Sequence, residues 1–185
     1  MNELVRKARS CRRFRQDDPI PAELVRSLVD LARLVPSGAN QQPLRYRMVT
    51  SAQQCAEVFP HTKWAAALKD WGGPAEGERP TAYIVIMAAA GRSAPVDVGI
   101  AGQTIQLAAT EQGYAACMLG AIDRPGIHKT LGLPGEWEIQ LLVALGRCGE
   151  TIVLEALPQD GNVAYWRSED GVHHVPKRSL EQVLV

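Results

Sequence analysis

The spacing of apolar and polar residues divides the chain into helices and strands. Between Pro21 and Val35, apolar residues recur at helical intervals and form a single stripe. This spacing predicts an amphipathic helix that begins near Pro21 and is stopped by Pro36. Two apolar runs, Thr81–Ala88 and Ile139–Leu145, predict strands, and the unbroken character of the first predicts burial on both faces. The residues of the helical stripe are Leu24, Val25, Leu28, Val29, Ala32 and Val35.

Weaker patterns predict shorter elements between these. The longest is a helix rich in small residues, which we expect to begin with Asp97 as its cap and to end at about Gln112, before Gly113. Together the patterns predict an α+β fold with long helices over one sheet, in one domain spanning residues 1–185. Further predicted helices are Ala52–Val58, Lys63–Lys69 and Pro125–Leu131, and further predicted strands are Arg45–Thr50, Tyr114–Leu119, Thr151–Leu157 and Val163–Arg167.

Composition narrows the possible functions. The chain has 185 residues, of which 46% are hydrophobic and 22% charged, as in ordinary globular proteins. Its 20 Lys and Arg balance its 20 Asp and Glu, which argues against a protein that coats nucleic acid. The longest apolar run, Ala82–Ala90, is too short to cross a bilayer, and the first ten residues do not resemble a secretory signal. We therefore expect a cytoplasmic protein.

The four cysteines are far apart in sequence. Cys11, Cys55, Cys117 and Cys148 form no CxxC pair, so their spacing predicts reduced thiols and neither a disulfide framework nor a zinc site. His61 and His128 stand alone, which also argues against a metal site.

The first candidate for chemistry is a cationic cluster, RSCRRF, at Arg9–Phe14. The planar guanidinium of arginine suits phosphate, and Ser10 adds a hydroxyl donor. Two alternatives remain open: a solvated helix face, which is common for isolated basic runs, and an arm that binds nucleic acid. Zero net charge weakens the second alternative.

Two further polar segments complete the set. PSGANQQP, at Pro36–Pro43, offers hydroxyl and carboxamide groups to a planar heteroaromatic, although the same composition is typical of a simple turn. HHVPKR, at His173–Arg178, offers Lys177 and Arg178 to phosphate, or it is a charged surface pair. GxGxxG, P-loop and GxSxG patterns are absent, so no Rossmann, Walker or serine-nucleophile site is predicted.

In this order, the segments closely resemble the nitroreductase family of flavoproteins. The resemblance runs from about Arg9 to Leu184. The matching segments are RSCRRF followed by Ile20-Pro21, PSGANQQP, Asp97 with Gly99 at the start of an Ala-rich helix, GYAACMLG at Gly113–Gly120, LGLP at Leu131–Pro134, VALGR before a Gly-Glu turn, and the ending YWRSEDGVHHVPKRSLEQVL.

The resemblance implies a mainly antiparallel central sheet flanked by helices, in an intertwined homodimer with FMN at the subunit interface. It implies that Arg9, Ser10 and Arg12 contact the phosphate and ribityl chain, and that Lys177 or Arg178 completes the phosphate site. Met118, Leu119 and Gly120 are expected along the flavin ring, mostly through backbone groups. The residues expected to reach the flavin from the partner subunit are Pro36, Ser37, Gly38, Asn40 and Gln42.

The implied activity is a ping-pong cycle in which NAD(P)H reduces FMN and an acceptor such as a nitroaromatic or a quinone is then reduced. Two alternatives are a specialised flavin reductase, dehalogenase or dehydrogenase of one metabolite, and a non-catalytic flavin-binding regulatory protein.

Ala8 stands where many relatives have a basic residue, and the chain has no room for the long inserted helices of larger members. We expect Arg12→Ala to weaken FMN retention far more than folding. Trp64, Trp71 and Tyr83 are candidates either for the pocket wall or for the core.

Overall fold

A five-stranded antiparallel sheet lies at the centre of the computed structural model, which describes all 185 residues. Its longest strand, β5 (Trp137–Cys148), pairs with three other strands. These partners are β1 (Phe14–Arg15), β3 (Ala82–Ala89) and β4 (Ala115–Leu119), and β2 (Arg45–Val49) pairs with the free edge of β3. Every pairing in this sheet is antiparallel, which agrees with the mainly antiparallel sheet that the resemblance implied.

Strand β3 is buried on both faces because its side chains alternate between two apolar cores. Tyr83 and Val85 belong to one core, whereas Ile84 and Ile86 belong to the other. All four side chains are fully buried. The unbroken apolar run in the sequence therefore predicted this strand correctly.

Five α-helices flank the sheet, and none is long and apolar enough to cross a membrane. Helices α2 and α4 pack over the core that contains Ile84, while α3 and α5 contribute to the core that contains Tyr83. The helices are α1 (Asn2–Lys7), α2 (Ala22–Ala32), α3 (Ala52–Val58), α4 (Pro95–Glu111) and α5 (Arg124–Thr130).

Two helical predictions were wrong. Residues 63–69 form turns, because Ala65 has φ 45°, a left-handed conformation that no right-handed helix contains. Asp97 does not cap α4: the helix begins at Pro95, whose fixed φ suits a first helical position, and Asp97 lies in its first turn. The predicted end is confirmed, since Gly113 follows α4 with φ 78°.

A second, three-stranded sheet was not predicted. It consists of β6 (Ile152–Ala156), β7 (Trp166–Arg167) and β8 (His173–Lys177), with β8 parallel to β6 and antiparallel to β7. The strand predicted at Val163–Arg167 is reduced to its last two residues. Strand β8 was missed because HHVPK is polar and carries a proline, whereas an apolar or alternating pattern is what indicates a strand.

Candidate functional site

The N-terminal cluster lies along the edge of β4. Ser10 forms a parallel bridge with Ala116, and the N–H of Cys11 donates to the Ala116 carbonyl at 3.1 Å. Because successive residues of a strand direct their N–H and C=O groups to opposite edges, Met118 faces the same edge as Ala116. The fold thus places backbone groups of Met118 on the edge where Ser10 lies, and Gly120 follows directly after the end of β4.

Arg9 and Ser10 present unused hydrogen-bond donors at this edge. Nη2 of Arg9 donates to the Val5 carbonyl at 2.6 Å, but Nε is buried and has no partner. The Ser10 hydroxyl forms no hydrogen bond within the protein either. A buried guanidinium N–H without an acceptor is costly, and a guanidinium and a hydroxyl are both donor types that suit an anionic oxygen, such as one of a phosphate group.

Arg12 is held in part by the second, three-stranded sheet. Its Nη1 donates to Nε2 of His173 at 3.0 Å and to the Ser10 carbonyl at 3.3 Å. The guanidinium carbon also lies 4.4 Å from the ring centroid of Tyr165, a cation–π contact. Nε and Nη2 have no hydrogen-bond partner within the protein and remain available to a ligand. Arg12 therefore contributes to packing as well as to the charge of the site.

His173 is fully buried and neutral at neutral pH. A guanidinium only donates, so Nε2 of His173 must be an acceptor, and the proton of the neutral ring is on Nδ1. Burial, together with the positive charges of Arg12 and Arg167 and against the opposing effect of Glu150, lowers the pKa of His173 to about 4. No group of three or more His, Cys, Asp or Glu side chains here or elsewhere is arranged to hold a metal ion.

Glu150 joins the N-terminal cluster to the second sheet. Its side chain is 2% exposed and pairs with Arg167 at 2.7 Å, which is itself 11% exposed. It also accepts the backbone N–H groups of Arg12 at 2.5 Å and Arg13 at 3.2 Å. Sequence reasoning did not assign Glu150 a role, because the Gly-Glu turn after β5 was its only local signal.

Lys177 and Arg178 do not join the unused donors of Arg9 and Ser10. Both side chains are exposed, and together with Arg6 they line a separate surface depression. Lys177 lies four residues beyond His173 in β8, a distance of about 13 Å along a strand. Their predicted contact with phosphate stays a prediction.

The polar turn at Pro36–Pro43 has an unusual backbone. Ala39, Asn40 and Gln42 all have positive φ, between 47° and 54°, which costs on the order of 1 kcal/mol for each residue. The Ser37 hydroxyl accepts the N–H of Gln42 at 3.0 Å and helps to hold this conformation. A Cβ on Gly38 would meet no atom within 4 Å, so the turn is open to an approaching group.

No hydrogen bond or ion pair joins this turn to the N-terminal cluster. Instead, Pro36, Ser37 and Gln42 line a cavity of about 130 Å³ with Tyr46 and Asp97. Oδ1 of Asp97 is buried there without a partner, and burial together with the Asp97 charge raises the pKa of Tyr46. Within one chain, the residues predicted for the site therefore lie in two separate regions.

The residues predicted along the flavin ring differ in what they expose. Met118 directs its side chain to α4: a Cβ on Gly102 would lie 2.8 Å from its sulfur. Leu119 is 5% exposed and packs in the core. Gly120 has nothing within 4 Å of the position that a Cβ would occupy. Only backbone groups and the open space at Gly120 are therefore available to a planar ligand.

The three candidate aromatic residues are core residues. Tyr83 is fully buried and Trp64 is 8% exposed, both in the core of α3 and α5. Trp71 packs against the same core and stacks beneath the guanidinium of Arg167, with 4.7 Å between the guanidinium carbon and the ring centroid. None of the three forms a hydrogen bond with Met118 or Gly120.

Comparison with protein-family models gives one match, to the model described as Nitroreductase family, over residues 5–147. A Stenotrophomonas maltophilia (strain K279a) protein, provisionally named NADH dehydrogenase/NAD(P)H nitroreductase, is 38% identical over 60 residues. That match covers 32% of this chain and 30% of the relative, so it spans less than a third of the curated protein's length.

Solved structures share the fold. A Clostridium novyi NT protein described as a nitroreductase family protein superposes with a TM-score of 0.65 and 19% identity, covering 100% of this chain and 98% of its own. A Clostridium difficile R20291 protein described as an FMN-dependent nitroreductase gives a TM-score of 0.63 and 21% identity, covering 81% and 88%.

Proposed function

Because this chain belongs to the nitroreductase family, we propose that it is an FMN-dependent oxidoreductase that takes hydride from NAD(P)H and reduces a small acceptor, such as a nitroaromatic or a quinone. The names of the C. difficile and S. maltophilia relatives support FMN and NAD(P)H. One observation carries the proposal: Ser10 bridges Ala116 at the edge of β4 that Met118 also faces, and the preceding residue, Arg9, has a buried Nε without a partner.

Different residues would bind different parts of FMN, according to their chemistry. Arg9 and Ser10 would hold the phosphate of FMN through charge-assisted and hydroxyl hydrogen bonds, with the positive charge of Arg12 beside them. Backbone groups of Met118 and Gly120 would orient the ring, and Gly120 leaves room for its close approach. The bound FMN supplies the hydride chemistry, and the protein supplies position and electrostatics. No side chain is assigned as an acid or base.

The turn at Pro36–Pro43 would reach the same flavin from a second copy of the chain. The absence of any hydrogen bond between this turn and Arg9, Ser10 or Arg12 within one chain supports this arrangement. So does its backbone strain, which is typical of residues held for a functional contact. In such a symmetric dimer each site would combine the N-terminal cluster of one chain with the turn of the other.

FMN affinity of a matched pair of arginine variants tests the phosphate assignment. Arg9→Gln removes the orphan donor and should weaken FMN binding about tenfold or more, the cost of one charge-assisted hydrogen bond. Arg15→Gln removes the same charge from an exposed position of β1 and should leave the affinity within about twofold. Fluorescence titration with FMN measures both. Equal losses in the two variants would show that only net charge matters.

Activity requires a second measurement. Purified protein loaded with FMN should oxidise NADH or NADPH, and p-benzoquinone should accelerate the oxidation. A protein that binds FMN but whose flavin no nicotinamide reduces would be a binding protein and not an enzyme. A protein that binds no FMN at all would overturn the proposal.

Mixed dimers test whether two copies build each site. Arg9→Gln and Asn40→Ala chains with different affinity tags are co-expressed, and the heterodimer is isolated through both tags. If each site uses Arg9 from one chain and Asn40 from the other, one of its two sites is intact, and activity should be about half that of the wild type. If both residues act within one chain, the heterodimer would have no intact site.

A further inference from the structure

Two of the four cysteines meet in the fold, although 137 residues separate them. Sγ of Cys11 lies 2.9 Å from Sγ of Cys148. Cys11 is fully buried, whereas Cys148, at the end of β5, is partly exposed. The proposed oxidoreductase site uses neither thiol. The other two cysteines, Cys55 and Cys117, are buried away from any thiol partner, and burial raises the pKa of each to about 11.

The backbone segments that carry the two cysteines are already held close together. Phe14 is the strand partner of Cys148, and the N–H of Gly149 donates to the Arg13 carbonyl at 2.8 Å. A Cβ on Gly149 would lie 3.0 Å from the Phe14 backbone, so the two segments approach as closely as a glycine allows. A disulfide bond is about 2.05 Å long, so closing the pair requires a movement of less than about 1 Å.

The two thiols differ in reactivity. Hydrogen bonding from Cys11 lowers the pKa of Cys148, aided by the charge of Arg15 and against the effects of burial and of the Glu150 charge. The same pairing, together with burial, raises the pKa of Cys11. Since the thiolate is the attacking species, Cys148 is the thiol that an external reagent meets first, and Cys11 is placed to react with it afterwards.

We propose that Cys11 and Cys148 form a redox-active dithiol site that small disulfides, such as glutathione disulfide, oxidise to an intramolecular disulfide. The Cys148 thiolate attacks one sulfur of glutathione disulfide, the S–S bond breaks, and one glutathione thiolate leaves. Cys11 then attacks the Cys148 sulfur, its proton passes to the departing glutathione sulfur, and the second glutathione is released as a thiol. In sum, two protein thiols are oxidised and one glutathione disulfide is reduced to two glutathiones.

The disulfide would tie the N-terminal cluster to the end of β5. Cys11 stands between Ser10 and Arg12, so oxidation would fix this segment covalently to the longest strand of the central sheet. The required movement is small, so the disulfide would hold the segment where it already lies. This inference does not depend on FMN binding.

Peptide mapping of the wild-type protein tests the proposal. The reduced protein, with and without FMN, is equilibrated with mixtures of glutathione and glutathione disulfide, trapped by alkylation and digested. The expected product is one Cys11–Cys148 cross-linked peptide in both forms, with two of the four thiols lost. Oxidation should also raise the melting temperature by roughly 5 °C or more, because the bond closes a long loop.

Matched variants complete the experiment. Cys148→Ser and Cys11→Ser should each abolish the cross-link, while Cys55→Ala and Cys117→Ala should keep it. Recovery of Cys148 only as a stable mixed disulfide with glutathione, or of no oxidised cysteine at all, would overturn the proposal. The wild-type map decides the question even if a variant fails to fold.

Discussion

Each of the two sheets of this protein is held in place by a different kind of interaction. The five-stranded sheet is buried on both faces by apolar side chains such as Ile84 and Tyr83. The three-stranded sheet is joined to the N-terminal cluster by buried polar groups, chiefly Glu150, Arg167 and His173. Apolar packing tolerates small changes of shape, whereas a buried charge that loses its partner is left uncompensated and strongly destabilises the fold. We therefore expect substitutions in the region next to the proposed site to reduce stability more than substitutions in the central sheet.

The largest effect should follow Glu150→Ala. The substitution leaves Arg167 buried without its partner and removes the acceptor of the Arg12 and Arg13 backbone N–H groups. We expect a loss of about 3 kcal/mol in the free energy of unfolding, measured by urea denaturation. Glu3→Ala, which breaks an exposed pair with Lys7, is the control and should cost less than about 0.5 kcal/mol. Similar losses in both variants would contradict the comparison.

A smaller loss is expected from Ile84→Val in the central sheet. The variant removes one methyl group from a fully buried position and should cost about 1 kcal/mol in the same measurement. FMN affinity should not change, because Ile84 packs on the helices α2 and α4 and not at the edge beside Ser10. A cost as large as that of Glu150→Ala would mean that the two sheets do not differ in sensitivity.

The remaining prediction concerns the pH dependence that His173 adds to the stability. The pKa of this residue is about 4 in the folded protein and about 6.5 in the unfolded chain, so the unfolded chain binds more protons between these values. Stability should therefore fall as the pH falls through this window, by up to about 1.4 kcal/mol per pH unit from this group. His173→Gln keeps an acceptor for Arg12 but does not titrate, so its stability should fall less steeply. Parallel curves for the two proteins would show that His173 does not titrate as described.

The same contrast explains how far the sequence could be interpreted. The central sheet and helix α2 follow from apolar periodicity, because the burial that stabilises them is also what creates the pattern. Strand β8 and the role of Glu150 follow from contacts between distant segments, and no local pattern indicates them. The left-handed turn at Ala65 likewise lies in a stretch whose composition favours a helix.

For the candidate site, sequence likeness located the segments but not their mutual arrangement. In the structure, RSCRRF lies beside the strand that ends at Leu119. The contacts of Arg12 with His173 and Tyr165 could not be inferred, because they depend on a sheet that the pattern does not predict. The close approach of Cys11 and Cys148 could not be inferred either, because spacing along the chain does not show which distant segments meet.

The hydrogen bond between Arg12 and His173 also has a consequence for biosynthesis. It joins residues that lie 161 positions apart in the chain. The N-terminal cluster therefore leaves the ribosome long before the ring that holds Arg12. A nascent chain truncated before β8 would contain the complete central sheet but would leave Arg12 without its acceptor. The cluster thus reaches its final environment only after β8 has been synthesised.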